Sequence, residues 1–208
     1  MKRLLPAAAG IFLIVGCTPT LVPHTPYLPM LRDKGQIEAR ISTGLKGEEM
    51  QLGYQATKRL VLHVSGLRYE RADAGKSFRS ADVGLGYYWP LANGQWRLGL
   101  HGGVARGKGT AEGAGQFCDG CQEVPPSFRV SYSYLYVQPT ALLLNGAEDR
   151  WSAGAALRLG WAHYQQLDEL NFDLLGNPTT QIDHSGHQAV FLQPMLQQNF
   201  RVLPWLAL

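Results

Sequence analysis

The sequence predicts an all-β fold, an antiparallel up-and-down β-barrel of the transmembrane type with about eight strands, ten being the alternative count. Three observations lead to this class. The chain contains 24 glycines and only 17% charged residues, a composition that suits many strands joined by turns better than a helical bundle. Apolar and polar residues alternate with period two through most of the chain, and its connections alternate between short and long.

The strands can be placed in order from this alternation. Short turns are predicted at 57–59, 90–95 and 145–150, and longer connections at 70–79, 107–127 and 166–187, as in outer-membrane barrels. Residues 203–208 could form an abbreviated further strand, which leaves the strand count open. The predicted strands are 37–43, 50–56, 60–64, 81–89, 96–104, 128–144, 151–164 and 188–202.

The strand at 151–164 gives the strongest indication of a membrane barrel. Trp151 and Trp161 bound an aliphatic face, and at about 3.3 Å per residue and a tilt near 40° they stand roughly 25 Å apart along the barrel axis. That distance matches the apolar band of a transmembrane barrel, and Trp89 and Trp96 flank one turn where a second aromatic girdle would lie. The alternative is a soluble sandwich with core tryptophans.

The N-terminal residues predict export. Lys2 and Arg3 precede an apolar run from Leu4 to Val15, which is too short to span a bilayer and ends in small residues before Cys17. We therefore divide the chain into a signal peptide at 1–16, Cys17 and a Pro-rich tether at 17–34, and a β-barrel domain at 35–208. Cleavage of the signal peptide would remove Lys2 and Arg3 and no acidic residue, so the formal charge would fall from +3 to +1. A mature chain with so little net charge is not expected to bind nucleic acid.

Two resemblances add to this interpretation. Ile14, Val15, Gly16 and Cys17 resemble the lipobox of bacterial lipoproteins, which implies that Cys17 carries lipid on its thiol and becomes the acylated N-terminus after cleavage. Thr18, which follows the cysteine, is not the aspartate that commonly signals inner-membrane retention in that family, so the resemblance implies sorting to the cell outer membrane.

The start of the body gives the second resemblance. The run Pro26, Pro29, Leu31, Lys34 and Gly35, leading into an alternating strand, looks like the start of uncharacterised lipid-anchored outer-membrane β-barrel-like proteins of Gram-negative bacteria. This likeness implies architecture and location only. Outer-membrane barrels usually end in a strand with a terminal aromatic residue. This chain departs from that pattern, because it continues past Phe200 to Leu208.

Two long connections contain candidate ligand residues. Cys118 and Cys121 form a C-x-x-C, and His184 and His187 form an H-x-x-H. In an oxidising compartment the cysteines are most simply a small disulfide. Unpaired thiols and a zinc site formed with the two histidines are the weaker alternatives.

The polar faces of the strands predict a network inside the barrel. In a narrow lumen such groups pair across the interior. The alternative is a lipid hydrolase in which His101 or His163 acts as base and Asp82 orients it. The network residues are Glu38, Arg40, Asp82, Arg97, His101 and Arg158.

These observations favour a non-catalytic, lipid-anchored outer-membrane barrel with a structural or surface-interaction role and no cofactor. Its expected partners are outer-membrane lipid and the covalent lipid on Cys17. A tethered, lipocalin-like barrel that binds an apolar ligand is a second hypothesis, and the membrane-embedded hydrolase is a third. The first two differ in orientation: Leu98, Leu157 and Trp161 face lipid in the first and line a pocket in the second.

Overall fold

A computed structural model of the 208-residue chain describes residues 23–44, 47–71, 75–91, 95–111, 127–144, 151–172, 178–203 and 206–207. The predicted signal peptide at 1–16, Cys17 with the start of the tether, and the Cys118 and Cys121 pair lie outside the described residues. The structural statements below concern the described ranges.

Ten antiparallel strands form the described body. Strands β1 to β7 pair in chain order, β9 pairs with β7, β10 pairs with β9, and β8 is a short strand beside the far end of β7. Their bounds are β1 Ile37–Gly44, β2 Gly47–Gln55, β3 Leu60–Arg71, β4 Lys76–Pro90, β5 Trp96–Ala111, β6 Ser127–Leu144, β7 Trp151–Phe172, β8 Pro178–Asp183, β9 Gln188–Leu203 and β10 Leu206–Ala207.

The predicted all-β, antiparallel class is confirmed, and its details differ from the prediction in two ways. Strands β4, β5 and β7 extend well into the connections expected at 70–79, 107–127 and 166–187, β8 is additional, and β10 lies within residues 203–208, where an abbreviated strand was the alternative. The sheet is also open within the described ranges, because no strand pairing joins β1 to β9 or β10.

The open sheet curls strongly, so that side chains of distant strands meet on its inner face. His63 of β3 and Tyr136 of β6 are hydrogen-bonded at 2.7 Å, although β4 and β5 separate their strands. At the seam between the two edges, Arg40 Nη1 of β1 donates to Gln197 Oε1 of β9 at 2.6 Å. Side chains therefore bridge the edges that backbone pairing leaves apart.

The interior of the curl is filled by residues 23–31, which we call the plug. The plug has no regular secondary structure, and it runs from His24, which contacts Ser80, to Leu31, which contacts Arg97. It thus points toward the end of the sheet that carries the connections 56–59 and 91–95, which we call the short-turn end. A turn with Gly35 at a φ of 88° then reverses the chain into β1. The sequence predicts a tether outside the fold for these residues, whereas the structure buries His24, Tyr27 and Leu28 almost completely.

Three layers of inner side chains surround the plug. An apolar layer with Val61, Tyr88 and Leu142 packs on Leu28 and Leu31 at the short-turn end. Toward the opposite end, which carries the connection 112–126 and is called the long-loop end, aromatic residues dominate: Phe78, Tyr132, Tyr134, Tyr136 and Tyr164. Between them lies a polar layer formed by His63, Asp82, His101, Gln138 and Arg158.

The fit of Tyr27 against Gly53 gives the first testable prediction. The Tyr27 hydroxyl occupies the place where a Cβ at position 53 would lie, so Gly53→Ala must displace the buried Tyr27 side chain. We expect a loss of about 1–3 kcal/mol in the free energy of unfolding, measured by urea titration of the folded protein, since overpacking costs that much. Gly66→Ala is the matched control, because nothing lies within 4 Å of its Cβ position. Equal effects would contradict the fit.

Candidate functional site

The inner face binds the plug mainly through its backbone. Gln138 Nε2 donates to the Tyr27 carbonyl at 2.8 Å, and Arg40 Nη2 donates to the Leu28 carbonyl at 2.6 Å. The Glu38 carboxylate accepts the Met30 N–H at 2.9 Å. Further contacts join Glu49 to Thr25 N at 3.0 Å, Gln51 to Thr25 O at 2.9 Å and Arg97 to Leu31 O at 3.0 Å. These side chains supply the hydrogen bonds that a buried, non-sheet backbone requires.

Arg158 is the centre of the polar layer. Its side chain is fully buried, and its Nη1 lies 3.5 Å from Asp82 Oδ2. Arg158 Nε donates to Gln138 Oε1 at 2.9 Å, and the guanidinium lies 4.0 Å from the ring centroid of Tyr136. Asp82 also accepts the Ser65 hydroxyl at 2.6 Å. A buried guanidinium is tolerated only when it is paired in this way.

The histidines proposed for a hydrolase have other partners in the structure. His101 Nε2 is 2.9 Å from the Tyr88 hydroxyl, whereas Asp82 contacts Ser65 and Arg158. His163 is exposed on the opposite face of β7. The His101 imidazole is therefore paired with a phenol in a filled interior. Asp82 makes no hydrogen bond to His101 in the described structure, although orientation of a catalytic base would require one.

The six predicted network residues all line the interior, but they form separate groups around the plug. Glu38 and Arg40 are ion-paired, Asp82 and Arg158 form the central pair, and Arg97 and His101 bind the plug and Tyr88 respectively. Sequence reasoning missed several partners whose positions follow the same alternation. These are Glu49, Gln51, His63 and Gln138, whereas His24, which was also missed, lies in the plug.

The outer face of the curled sheet is an exposed apolar belt. Leu98 is 44% exposed, Leu157 is 41% exposed and Trp161 is 57% exposed. Their neighbours along the strands, Arg97 and Arg158, face inward. The belt continues over β2, β3, β4, β6 and β9, with exposed Leu52, Leu62, Val83, Leu85, Leu135, Val190, Leu192 and Leu196. Soluble domains rarely expose a contiguous apolar surface of this extent.

The four predicted girdle tryptophans lie at the two margins of this belt. Trp89, Trp96 and Trp151 adjoin the connections 91–95 and 145–150 at the short-turn end. Trp161 lies at the opposite margin, where its Nε1 donates to Gln188 Oε1 at 3.2 Å. Trp89 stacks edge-on with Tyr87, with ring centroids 4.9 Å apart.

The H-x-x-H motif lies in the connection after β8. His184 Nε2 is 3.5 Å from a Glu169 carboxylate oxygen, and His187 Nδ1 is 2.6 Å from the His184 carbonyl. Hydrogen bonds from the Ser185 side chain and backbone lower the pKa of Asp183, so its turn is favoured at neutral pH and weakened as the pH falls through that pKa. The described ranges contain no cluster of three or more metal-ligating side chains.

Comparisons of the chain with protein-family models, with curated proteins and with solved structures found no match. The described ranges contain no helix that is long and apolar enough to cross a membrane.

Proposed function

We propose that the protein is a lipid-anchored outer-membrane β-barrel whose strands span the bilayer and whose interior is closed by its own N-terminal segment. Its role is structural or surface-interacting and non-catalytic. The observation that carries the proposal is the apolar belt: large apolar side chains are exposed on the convex face, whereas the charged side chains of Asp82 and Arg158 are buried on the concave face. Lipid is the environment in which this arrangement is stable.

The margins of the belt support the same environment. Tryptophans are favoured at membrane interfaces, where the ring is partly in hydrocarbon and the indole N–H is hydrated. Trp161 marks one margin, and Trp89, Trp96 and Trp151 mark the other. The proposal requires that the backbone edges of β1 and β9, which the side chains of Arg40 and Gln197 join, be shielded from hydrocarbon, because unpaired sheet edges do not occur there.

The filled interior supports a non-conducting barrel. A lumen of about eight strands is only wide enough to be filled by side chains, and the plug occupies the space that a slightly wider barrel would leave. The same filling argues against a lipocalin-like pocket, since Tyr27 and Leu28 take the place that an apolar ligand would need.

A membrane-extraction experiment tests the proposal. The Cys17→Ala variant, exported by an ordinary cleavable signal, should remain in outer membranes after washing with carbonate or urea, because the strands rather than the lipid hold it. It should also migrate faster in detergent gels when it is not heated, as folded membrane barrels do.

Two further samples make this test decisive. The wild-type lipoprotein provides the reference for complete retention. A lipidated variant carrying Leu98→Glu and Leu157→Glu retains the anchor but puts charges on the belt, so it should lose heat-modifiable migration. Release of the Cys17→Ala variant into the soluble fraction in a folded state would refute a bilayer-spanning body.

A further inference from the structure

A cluster of cations lies on the outer face just beyond the apolar belt, toward the long-loop end. Arg79 and Lys108 are directly opposite each other on β4 and β5, and Arg106 is two residues from Lys108 on the same strand. Arg129 lies near them on β6, opposite Thr110. We call these four residues the basic cluster, and all four are exposed.

Like charges that face each other across two strands destabilise a sheet unless an anion lies between them. Two acids adjoin the cluster: Asp168 of β7 lies opposite Arg129, and Glu70 of β3, which accepts a hydrogen bond from Arg68 at 2.6 Å, lies near Arg79. These two carboxylates are fewer than the five cations formed by Arg68 and the basic cluster. The cluster therefore keeps an excess of positive charge that an external anion would neutralise.

A groove on the outer face leads into the basic cluster. Its apolar part has a volume of about 730 Å³ and is lined by Val83, Val104, Leu135 and Trp161. Arg106 lines both this part and an adjoining one of about 440 Å³, which also contains Arg79 and Lys108. A third part of about 420 Å³ shares Arg79 and Lys108 and adds Arg129. The apolar and cationic parts thus form one continuous surface.

We infer that this surface binds a membrane lipid whose phosphate headgroup has a net negative charge, its acyl chain in the apolar groove and its phosphate in the basic cluster. Arg106 lies between the apolar groove and the other cations of the basic cluster. An amphiphile with an anionic headgroup is complementary to both of these surfaces. Arginine and lysine are the usual phosphate ligands. This inference rests on the proposed membrane location and adds a specific lipid class to it.

Fluorescence quenching at Trp161 tests the inference. A variant with Trp89, Trp96, Trp151 and Trp205 changed to Phe retains only the tryptophan that lines the groove. It is reconstituted in bilayers containing brominated phosphatidylglycerol or brominated phosphatidylcholine. We expect quenching to show a preference for the anionic lipid, and each cation removed should reduce that preference roughly fivefold.

Matched charge changes locate the preference. The double variant Arg106→Gln with Lys108→Gln should lose most of the preference for the anionic lipid. The second double variant, Arg79→Gln with Arg129→Gln, should lose it similarly, so the test still stands if one of the two variants folds poorly. Lys58→Gln with Arg59→Gln removes the same charge at the short-turn end and should leave the preference unchanged. Folding of each variant is checked by heat-modifiable migration.

The outcomes are distinct. Equal quenching by the two lipids in the parent protein, or equal losses in all three charge variants, would overturn the inference. Abolition of the preference by millimolar inorganic phosphate would show a free-anion site and would also overturn it. Failure of both lipids to quench Trp161 would mean that the body is not in the bilayer, which refutes the proposed function itself.

Discussion

Replacing Asp82 with alanine should destabilise the fold by about 3–5 kcal/mol, because it leaves the buried Arg158 guanidinium without its counter-ion. Arg158 has no access to solvent and is held by Gln138 and the aromatic face of Tyr136. Neither partner carries a charge that could replace the carboxylate. The loss is measured as the shift in the urea unfolding curve of the folded protein in detergent.

A double replacement separates pairing from packing. Asp82→Ala combined with Arg158→Met removes both charges and keeps most of the side-chain volume of Arg158. The double variant should recover to within about 1–2 kcal/mol of the parent protein, since an apolar substitute for a buried pair is often nearly neutral. If the double variant is no more stable than the single one, the ion pair is not the reason for the loss.

Removing the plug should convert the proposed non-conducting barrel into a channel. The plug fills the curl over its whole polar layer, and the surfaces that it covers, including Gln138, Arg40 and Arg158, would hold water if it left. We expect discrete current steps in planar bilayers where the parent protein gives none. A protease site inserted after Lys34, in the exposed turn between the plug and β1, allows cleavage after folding and extraction of the plug with urea.

Two controls belong to this experiment. The same insertion left uncut should remain silent, and a synthetic peptide with the sequence of residues 23–32 should block the currents of the cleaved protein. A cleaved, extracted and still folded barrel without current would contradict the assignment of these residues as the plug.

The strand order and the facing of side chains could be read from the sequence because period-two alternation is strong in the central strands. In β7, Leu157 and Arg158 lie on opposite faces, and the alternation predicted that separation. Strand ends were underestimated because β5 and β7 continue through polar residues such as Lys108 and Gln165, whose composition resembles that of a loop.

The plug could not be predicted by the same method. Residues 23–31 contain three prolines and make no strand pairing, so they show neither periodicity nor a propensity that would distinguish them from a linker. Their burial depends on side chains far away in sequence, such as Gln138. The one local signal was the presence of Tyr27, Leu28 and Leu31, apolar side chains that a solvated tether does not need.

The position of the plug also determines the order in which the molecule can assemble. Its contacts reach 111 residues along the chain to Gln138 and 134 residues to Arg158, and the seam contact between Arg40 and Gln197 spans 157 residues. The residues made first are therefore enclosed by strands made last. The plug contacts and the seam cannot form until β6, β7 and β9 are in place, so they belong to a late folding step, and contacts so distant in sequence make that step slow.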